Sequence, residues 1–318
     1  MKKKKMRSLL VVLIVSALVF TFAGCQKSSS TVAAGGTETK TGSTTYPLTV
    51  TDDLGNSVTI DKEPQKIVSL SPASTEILFA VDQGSKVVGR TDYDNYPEAA
   101  LAVPSIGDFN APNVEKIIAL APDLIIASDF VTDEVRQQLE ATGTKVIVYS
   151  PTSINGIMNN IVVTGEVTNA NDKAKTVVDK MVTDRQEIID KAKTASVQKS
   201  AFIDVGDFFS AGPGSMLDSM LVDINAKNIV SDTSTPWPQL STEQIISSNP
   251  DVYISLYITP DEVKATPGFD KITAIKNNAI AYYAFLSPES DLVQRPGPRI
   301  VQGLALLAAD VYPDLFTK

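Results

Sequence analysis

Five aromatic residues lie in predicted loops that follow predicted strands, outside the periodic segments where core aromatics usually sit. They are Tyr93, Phe109, Phe208, Phe209 and Trp237. Their loops are rich in Asp, Asn, Pro, Ser or Gly, and the only tryptophan stands between two prolines, which restrict its backbone. In α/β folds the carboxyl ends of strands border the crevice that binds ligands. The five rings therefore predict a ligand-binding crevice, and packing on the edge of the fold is the alternative for any one of them.

The residue types of common enzymes are missing from the chain. There is no histidine, which removes the usual general base, and no Gly-x-Ser-x-Gly or phosphate-binding Gly-rich motif occurs. The single cysteine cannot form a zinc cluster or an intramolecular disulfide. We therefore predict a protein with no catalytic residues, no metal site and no intrinsic cofactor, while catalysis by carboxylates alone stays open.

One segment occurs twice. Residues 114–128 read VEKIIALAPDLIIAS and residues 242–256 read TEQIISSNPDVYISL, with six identities that include Glu115 and Glu243. Each copy predicts a capped helix that runs through Pro-Asp into a strand. The repeat indicates two related halves that present the same helix start. A carboxylate in the first helical turn is also stabilised by the helix dipole, by about 0.3–1 kcal/mol, which is the local explanation of both glutamates.

The elements that must position these residues alternate between short strands and helices on both sides of residues 171–196. That pattern predicts parallel sheets, and so an α/β fold with two Rossmann-like lobes at 47–170 and 197–318. Residues 171–196 contain no Gly or Pro and carry apolar residues at helical spacing, which predicts one long helix joining the lobes. An ordinary core helix in one larger domain is the alternative.

The first 46 residues differ from the rest in composition. A basic start, an apolar run and small residues before Cys25 predict an export signal at 1–24, and the small residues before the cysteine resemble the lipidation signal of bacterial lipoproteins. Residues 25–46 are dominated by Ser, Thr and Gly and predict a flexible tether with a lipidated Cys25. Beyond residue 7 the chain carries 23 basic against 37 acidic residues, which disfavours nucleic-acid binding.

From about residue 66 to residue 316 the chain resembles the substrate-binding proteins of ABC importers for iron complexes and cobalamin, most of all the cobalamin-binding members. The matching stretches are KIVSLSPASTEILFA, VVGRTDYDNYPEAA, NVEKIIALAPDLIIAS, STPWPQLSTEQII and RPGPRIVQGLALLA. The resemblance implies a helical-backbone receptor fold of the metal-chelate and cobalamin type. It also implies an extracytoplasmic monomer, lipid-anchored to the cell membrane, that hands its ligand to a permease dimer with ATPase subunits.

The resemblance further implies a corrinoid pocket between the lobes. Its implied residues are Ala73, Tyr93 and Phe109 in the first lobe, Phe209 and Trp237 in the second, and Asp291 and Arg295 beside them. It also implies that Glu115 and Glu243 dock arginines of the permease. Aromatic rings and a few polar groups suit a large disc with an amide rim. A ferric siderophore or haem, with Tyr93 as iron ligand, stays open, and so does a surface-anchored enzyme or scaffold on the same fold.

Overall fold

The computed structural model describes residues 41–316. The predicted export signal 1–24, Cys25 and most of the predicted tether lie outside the described residues. Within 41–316, no helix combines the length and the apolar character that crossing a membrane requires.

The described end of the predicted tether is held against the fold. The Thr44 N–H donates to Asn169 Oδ1 at 2.7 Å, and the Tyr46 hydroxyl donates to the Val167 carbonyl at 3.0 Å. The Thr44 hydroxyl also donates to the Glu166 carbonyl at 2.8 Å. Thr44 and Tyr46, which the composition assigns to the tether, are therefore bonded to the end of the helix Ile154–Val167 and the residues after it.

The first lobe holds one antiparallel hairpin and one parallel sheet. Its strands are β1 (Leu48–Thr51), β2 (Ser57–Ile60), β3 (Ile67–Leu70), β4 (Val87–Gly89), β5 (Leu124–Ser128) and β6 (Lys145–Tyr149), and its helices are α1 (Pro72–Ala80), α2 (Val114–Leu120), α3 (Asp133–Glu140) and α4 (Ile154–Val167). The hairpin pairs β1 with β2. The other four strands run parallel in the order β4-β3-β5-β6.

The second lobe follows α5 (Asn171–Ala192). Its strands are β7 (Ser200–Asp204), β8 (Lys227–Asn228), β9 (Val252–Ser255) and β10 (Ile280–Tyr282), and its helices are α6 (Met216–Asp223), α7 (Thr242–Ser248), α8 (Pro260–Ala265), α9 (Thr273–Lys276), α10 (Pro288–Gln294) and α11 (Ile300–Val311). The strands are parallel in the order β10-β9-β7-β8. In both lobes the second strand of the sheet lies beside the first, and the third and fourth follow on the other side. The lobes therefore share one topology.

The repeated segment occupies the same place in each lobe. It forms α2 and β5 in the first lobe and α7 and β9 in the second, and both helices end on a residue in the left-handed conformation, Ala121 and Asn249. The shared aspartates make the same contact. Asp123 Oδ2 accepts the backbone N–H of Lys66 at 3.0 Å just before β3, and Asp251 Oδ2 accepts that of Ser200 at 2.8 Å at the start of β7.

The predicted long helix is present as α5 and ends at Ala192, four residues before its predicted end. It packs beside α4, a helix that the sequence pattern does not predict. The two helices approach closely at Gly165, where an added Cβ would lie 2.4 Å from Ala174 Cβ. Ala174, Val178 and Met181 on its buried face belong to an apolar cluster that includes residues of both lobes. The joining helix is thus packed into a continuous core, which makes it a stiff connection.

Two local features differ from the simplest interpretation of the sequence. Several residues at 71–75 could cap the first helix, and the cap is Ser71, whose Oγ accepts the Ser74 N–H at 3.1 Å. Pro72 at the first helical position fixes this earlier start. The segment FDKITAIKNN contains no Gly or Pro, yet it forms a 3₁₀ turn at 269–271 and the short α9 in place of one continuous helix.

Candidate functional site

The predicted site residues of the first lobe lie beyond the carboxyl ends of β3 and β4, and those of the second beyond β7 and β8. A parallel sheet presents its ligand-binding edge there, between the first and third strands. Chain segment 295–299, which follows α10, contacts the first lobe at the same edge. This contact joins the second lobe to the ligand-binding edge of the first lobe.

Three aromatic rings form a cluster in the first lobe. Tyr93 meets Phe109 edge-on with ring centroids 5.4 Å apart, and Phe109 meets Phe130 in the same way at 5.4 Å. Tyr93 is 37% exposed and Phe130 is 60% exposed. The cluster therefore exposes apolar ring surface at the ligand-binding edge of the first lobe.

A buried carboxylate anchors the loop that carries Tyr93. Asp94 is fully buried, and its side chain accepts hydrogen bonds from the Thr75 hydroxyl at 2.6 Å and the Thr91 N–H at 3.1 Å. Burial raises the pKa of Asp94, while these hydrogen bonds act in the opposite direction. The contact to Thr75 ties the Tyr93 loop to α1.

A cavity of about 530 Å³ lies at the matching edge of the second lobe. Its lining residues are Val205, Gly206, Asp207, Phe209, Trp237, Tyr257 and Ile258. Tyr257 stacks on Phe285 with centroids 5.5 Å apart and an interplanar angle of 23°. Phe209 is 41% and Trp237 48% exposed, so both rings present surface to this cavity.

The loop that carries Phe209 has an unusual backbone. Gly206, Asp207 and Phe208 all have positive φ values, 113°, 49° and 60°, and only glycine adopts these at little cost. Asp204 holds the loop, since its carboxylate accepts the Gly206 N–H at 2.8 Å and the Tyr253 hydroxyl at 2.6 Å. Burial raises the pKa of Asp204 despite these bonds.

The Phe209 loop is also tied to the Trp237 loop. Ser210 N–H donates to the Pro238 carbonyl at 2.9 Å, and Leu240 N–H donates to the Phe208 carbonyl at 3.0 Å. Phe208 packs inward, tilted against Phe269 at 5.7 Å, and lies partly buried against a core cluster. Of the five loop aromatics, Phe208 thus takes the packing role that the sequence left as the alternative.

Four charged side chains join the lobes beside Tyr93, and we call Glu76, Asp291, Arg295 and Arg299 the charged seam. Arg295 Nη1 donates to Asn95 Oδ1 at 2.7 Å and to Glu76 Oε1 at 3.3 Å. Its Nη2 donates to the Tyr93 carbonyl at 3.3 Å and lies 2.9 Å from Asp291 Oδ2. Both terminal nitrogens of Arg295 are therefore engaged.

Glu76 is the buried acid of the charged seam. Only 3% of this residue is exposed, and it accepts Arg299 Nη2 at 2.6 Å on Oε1 and Arg299 Nε at 2.8 Å on Oε2. Burial alone would lower the pKa of Arg299, but the hydrogen bonds and charge of Glu76 outweigh it and raise that pKa. The guanidinium also lies 3.8 Å from the ring centre of Tyr96, a cation–π contact.

The predicted site residues thus fall into two groups. The first-lobe group joins Tyr93 to Phe109 and, through the charged seam, to Asp291 and Arg295. Ala73 lies at this seam and is 9% exposed, with its Cα 3.7 Å from where a side chain on Gly297 would begin. Phe209 and Trp237 form the second group at their own cavity.

Several residues of this edge were not predicted. Phe130, Tyr257 and Phe285 each lie two or three residues past a strand end, so the rule that singles out Tyr93 also applies to them. Glu76 is the one charged residue of α1, and an acid among buried residues is a signal of pairing. Its partner Arg299 is 223 residues away, and no local pattern connects them.

Glu115 and Glu243 are both exposed, each in the first turn of a seven-residue helix. The backbone N–H at the helix start, followed by the Ser241 hydroxyl, lowers the pKa of Glu243. This direction fits the local explanation of that glutamate, in which the helix start stabilises its charge. Exposure leaves both carboxylates accessible to a partner.

A further cavity of about 430 Å³ lies at the opposite edge of the first-lobe sheet. It is bordered by the ends of β2 and α2 and the start of β6, and it includes the ion pair between Lys145 and Asp61 at 3.1 Å. None of the described residues that line it is aromatic. Its place at the amino ends of parallel strands separates it from the aromatic residues of the ligand-binding edges.

Comparison with known proteins decides the family. A family model described as periplasmic binding protein matches residues 67–285. The chain belongs to this family. An uncharacterized ABC transporter substrate-binding lipoprotein of Bacillus subtilis, YvrC, is 38% identical to this periplasmic binding protein over 282 residues, which are 86% of this chain and 88% of that protein.

Two further relatives extend the comparison. A cobalamin-binding protein of Halobacterium salinarum is 28% identical over 273 residues, which are 83% of this chain and 73% of that protein. The crystal structure of a possible iron-binding, periplasmic solute-binding protein from Staphylococcus epidermidis superposes with a TM-score of 0.71 at 31% identity and covers 79% of this chain and 100% of that one.

These similarities confirm the predicted family and the predicted two-lobed α/β fold class. The family consists of solute-binding proteins of ABC transporters, so this protein is the substrate-binding protein of an ABC importer and not an enzyme. Proteins of this family deliver their ligand to a permease and its ATPase.

Proposed function

We propose that this protein captures cobalamin or a related corrinoid in the cleft between its lobes. A corrinoid is a large disc with apolar faces and an amide rim. The Tyr93, Phe109 and Phe130 cluster offers ring surface from the first lobe, and Phe209 and Trp237 offer it from the second. Each good ring contact contributes about 0.5–1.5 kcal/mol beyond the area that it buries.

The observation that carries the proposal is the charge of the cleft. In the charged seam two guanidinium groups face two carboxylates, so the positive charge of Arg295 is neutralised. The residue that brings charge to the second-lobe cavity is Asp207, an acid. An anionic catecholate siderophore would have to break the ion pairs of Arg295 to gain a cation. A neutral ligand with amide groups meets no such cost.

Haem is the second candidate, and Tyr93 favours it. Tyrosinate is a known type of haem ligand, and Tyr93 is exposed at the edge of the first lobe. Tyr93→Phe should leave corrinoid binding close to that of the wild type, because the ring is kept. Haem would be the favoured ligand if the wild-type protein binds haem but no corrinoid, and if Tyr93→Phe loses the haem affinity and the haem absorption shift.

The second part of the proposal concerns delivery of the bound ligand to the importer. We propose that Glu115 and Glu243 each contact an arginine on one subunit of a permease dimer, so that two matched lobes meet two copies of one partner. The protein acts as a monomer, held at the outer face of the cell membrane by lipid on Cys25. The Bacillus subtilis relative, named as a lipoprotein, supports that location.

The single tryptophan gives a direct test. Titration with cyanocobalamin should quench the fluorescence of Trp237, and Phe209→Ala should weaken binding roughly tenfold by removing one stacking ring. Val197→Ala removes a comparably exposed apolar side chain before the amino end of β7 and should leave affinity unchanged. Unchanged Trp237 emission at saturating cyanocobalamin would contradict the proposal.

A further inference from the structure

We infer that Glu76 is a specificity-determining residue, which sets the charge preference of the cleft by neutralising Arg295 and Arg299 from the other lobe. The inference rests on the proposed function, because it explains how a site that contains arginine selects a ligand without net negative charge. Glu76 is a positioning residue, since its carboxylate lies beneath the surface and acts through Arg295.

The first step of the argument is the burial of Glu76. Its side chain is 1% exposed, and an unpaired carboxylate at such a position is strongly unfavourable. Both of its oxygens accept hydrogen bonds from arginines of segment 295–299. Glu76 therefore lies on α1 of the first lobe and is paired with two arginines of the second lobe.

The second step is the position of Arg295. Its side chain is 11% exposed, and it donates to the carbonyl of Tyr93, the residue whose ring opens onto the cleft. Arg295 is thus the cation placed to meet a bound ligand. Its Nη1 is divided between Asn95 and Glu76, and without the Glu76 charge the two guanidinium groups of the charged seam would face Asp291 as their one carboxylate.

The third step is the balance of the charged seam. Glu76 and Asp291 supply two negative charges, and Arg295 and Arg299 supply two positive ones. Replacing either acid by its amide keeps the size and shape of the side chain and makes the charge beside the cleft more positive by one unit. Charges in a partly buried site interact more strongly than in water, so one unit suffices to change the preference between a neutral and an anionic ligand.

A purely structural role makes a different prediction. If Glu76 only fastens the lobes together, Glu76→Gln lowers stability and changes the affinity for every ligand alike. If Glu76 sets the charge of the cleft, the ratio of affinities for an anionic and a neutral ligand changes, and the change diminishes at high salt because it is electrostatic.

The experiment compares two ligands by calorimetry on the purified protein: cyanocobalamin, which is neutral, and an anionic ferric tris-catecholate. We expect Glu76→Gln to shift the affinity ratio about tenfold toward the catecholate, which corresponds to about 1.4 kcal/mol. Glu140→Gln makes the same charge change on an exposed face of α3 and should leave the ratio at its wild-type value.

A second variant guards against misfolding of the first. Asp291→Asn, at a side chain that is 13% exposed, adds the same charge to the charged seam and should shift the ratio in the same direction. Wild-type ratios in both variants, or equal shifts in Glu140→Gln, would overturn the inference. If the wild-type protein binds no cyanocobalamin, the proposed function fails and the inference about Glu76 is still tested. Tighter catecholate binding by both variants than by the wild type would then support the role of Glu76, and unchanged catecholate binding would contradict it.

Discussion

Glu76 and Arg299 form a two-point ion pair between the lobes, with Nη2–Oε1 at 2.6 Å and Nε–Oε2 at 2.8 Å. The pair fastens the cleft edge of α1 to the start of α11. Since α5 joins the lobes through a continuous core, this protein has two separate rigid connections. We expect its lobes to move little when a ligand binds.

The first prediction concerns the stability that this pair provides. Arg299→Ala leaves the carboxylate of Glu76 buried with a weaker partner, and breaking a buried pair in this way costs about 3–5 kcal/mol. Urea denaturation should show that loss. Lys180→Ala removes an exposed pair with Asp184 and should cost less than about 1 kcal/mol. Equal losses in the two variants would show that the interlobe pair is not a strong contact.

The second prediction concerns pH and Asp204. Burial raises its pKa above the ordinary value of 3.8, so the folded protein holds this proton more tightly than the unfolded chain does. That contribution to stability is complete below about pH 3.8 and is lost as the pH rises through the folded-state pKa. The wild type should therefore lose stability relative to Asp204→Asn as the pH rises from about 4 toward neutrality.

Urea denaturation of both proteins across this pH range measures the difference. Asp232→Asn, at an exposed position, serves as the control and should run parallel to the wild type. If the difference in unfolding free energy between wild type and Asp204→Asn does not change with pH, burial does not raise the pKa of Asp204.

The third prediction separates docking from the helix dipole. Glu115→Ala with Glu243→Ala should leave ligand affinity intact and abolish stimulation of the permease ATPase. Loss of the dipole interaction alone costs about 0.3–1 kcal/mol of stability for each helix. The matched control is Glu134→Ala with Glu140→Ala on α3. Normal transport by the first double variant would leave the dipole as the full explanation.

The sequence predicts the lobes well because the information is local. Alternating strands and helices identify both parallel sheets, and the repeated segment identifies the unit that recurs in them. The structure adds the reason for the shared aspartates, since Asp123 and Asp251 each hold the backbone where the first strand of a sheet begins. Helix α4 escapes prediction because INGIMNNIVVTGEV is rich in β-branched residues and contains two glycines, and its packing beside α5 overrides these weak propensities.

The sequence likewise predicts one part of the candidate site and misses another. Aromatics just past a strand are visible in the sequence, and the same rule reaches Phe130 and Tyr257. The charged seam is not visible, because Glu76 and Arg299 meet only after both lobes have folded. The role of Phe208 was undecided for a related reason: its neighbour Phe209 points to the cavity, and the left-handed backbone at 206–208 decides which ring turns inward.

Calorimetric titration of the wild-type protein tests the central claim most directly. Cyanocobalamin, an anionic ferric tris-catecholate and haem would each be titrated into the same preparation at low and at high salt. The charge balance of the cleft predicts saturable binding of cyanocobalamin with little dependence on salt, and weaker or no binding of the two anionic ligands. No heat with cyanocobalamin, together with clear and salt-sensitive binding of the catecholate or haem, would contradict the account.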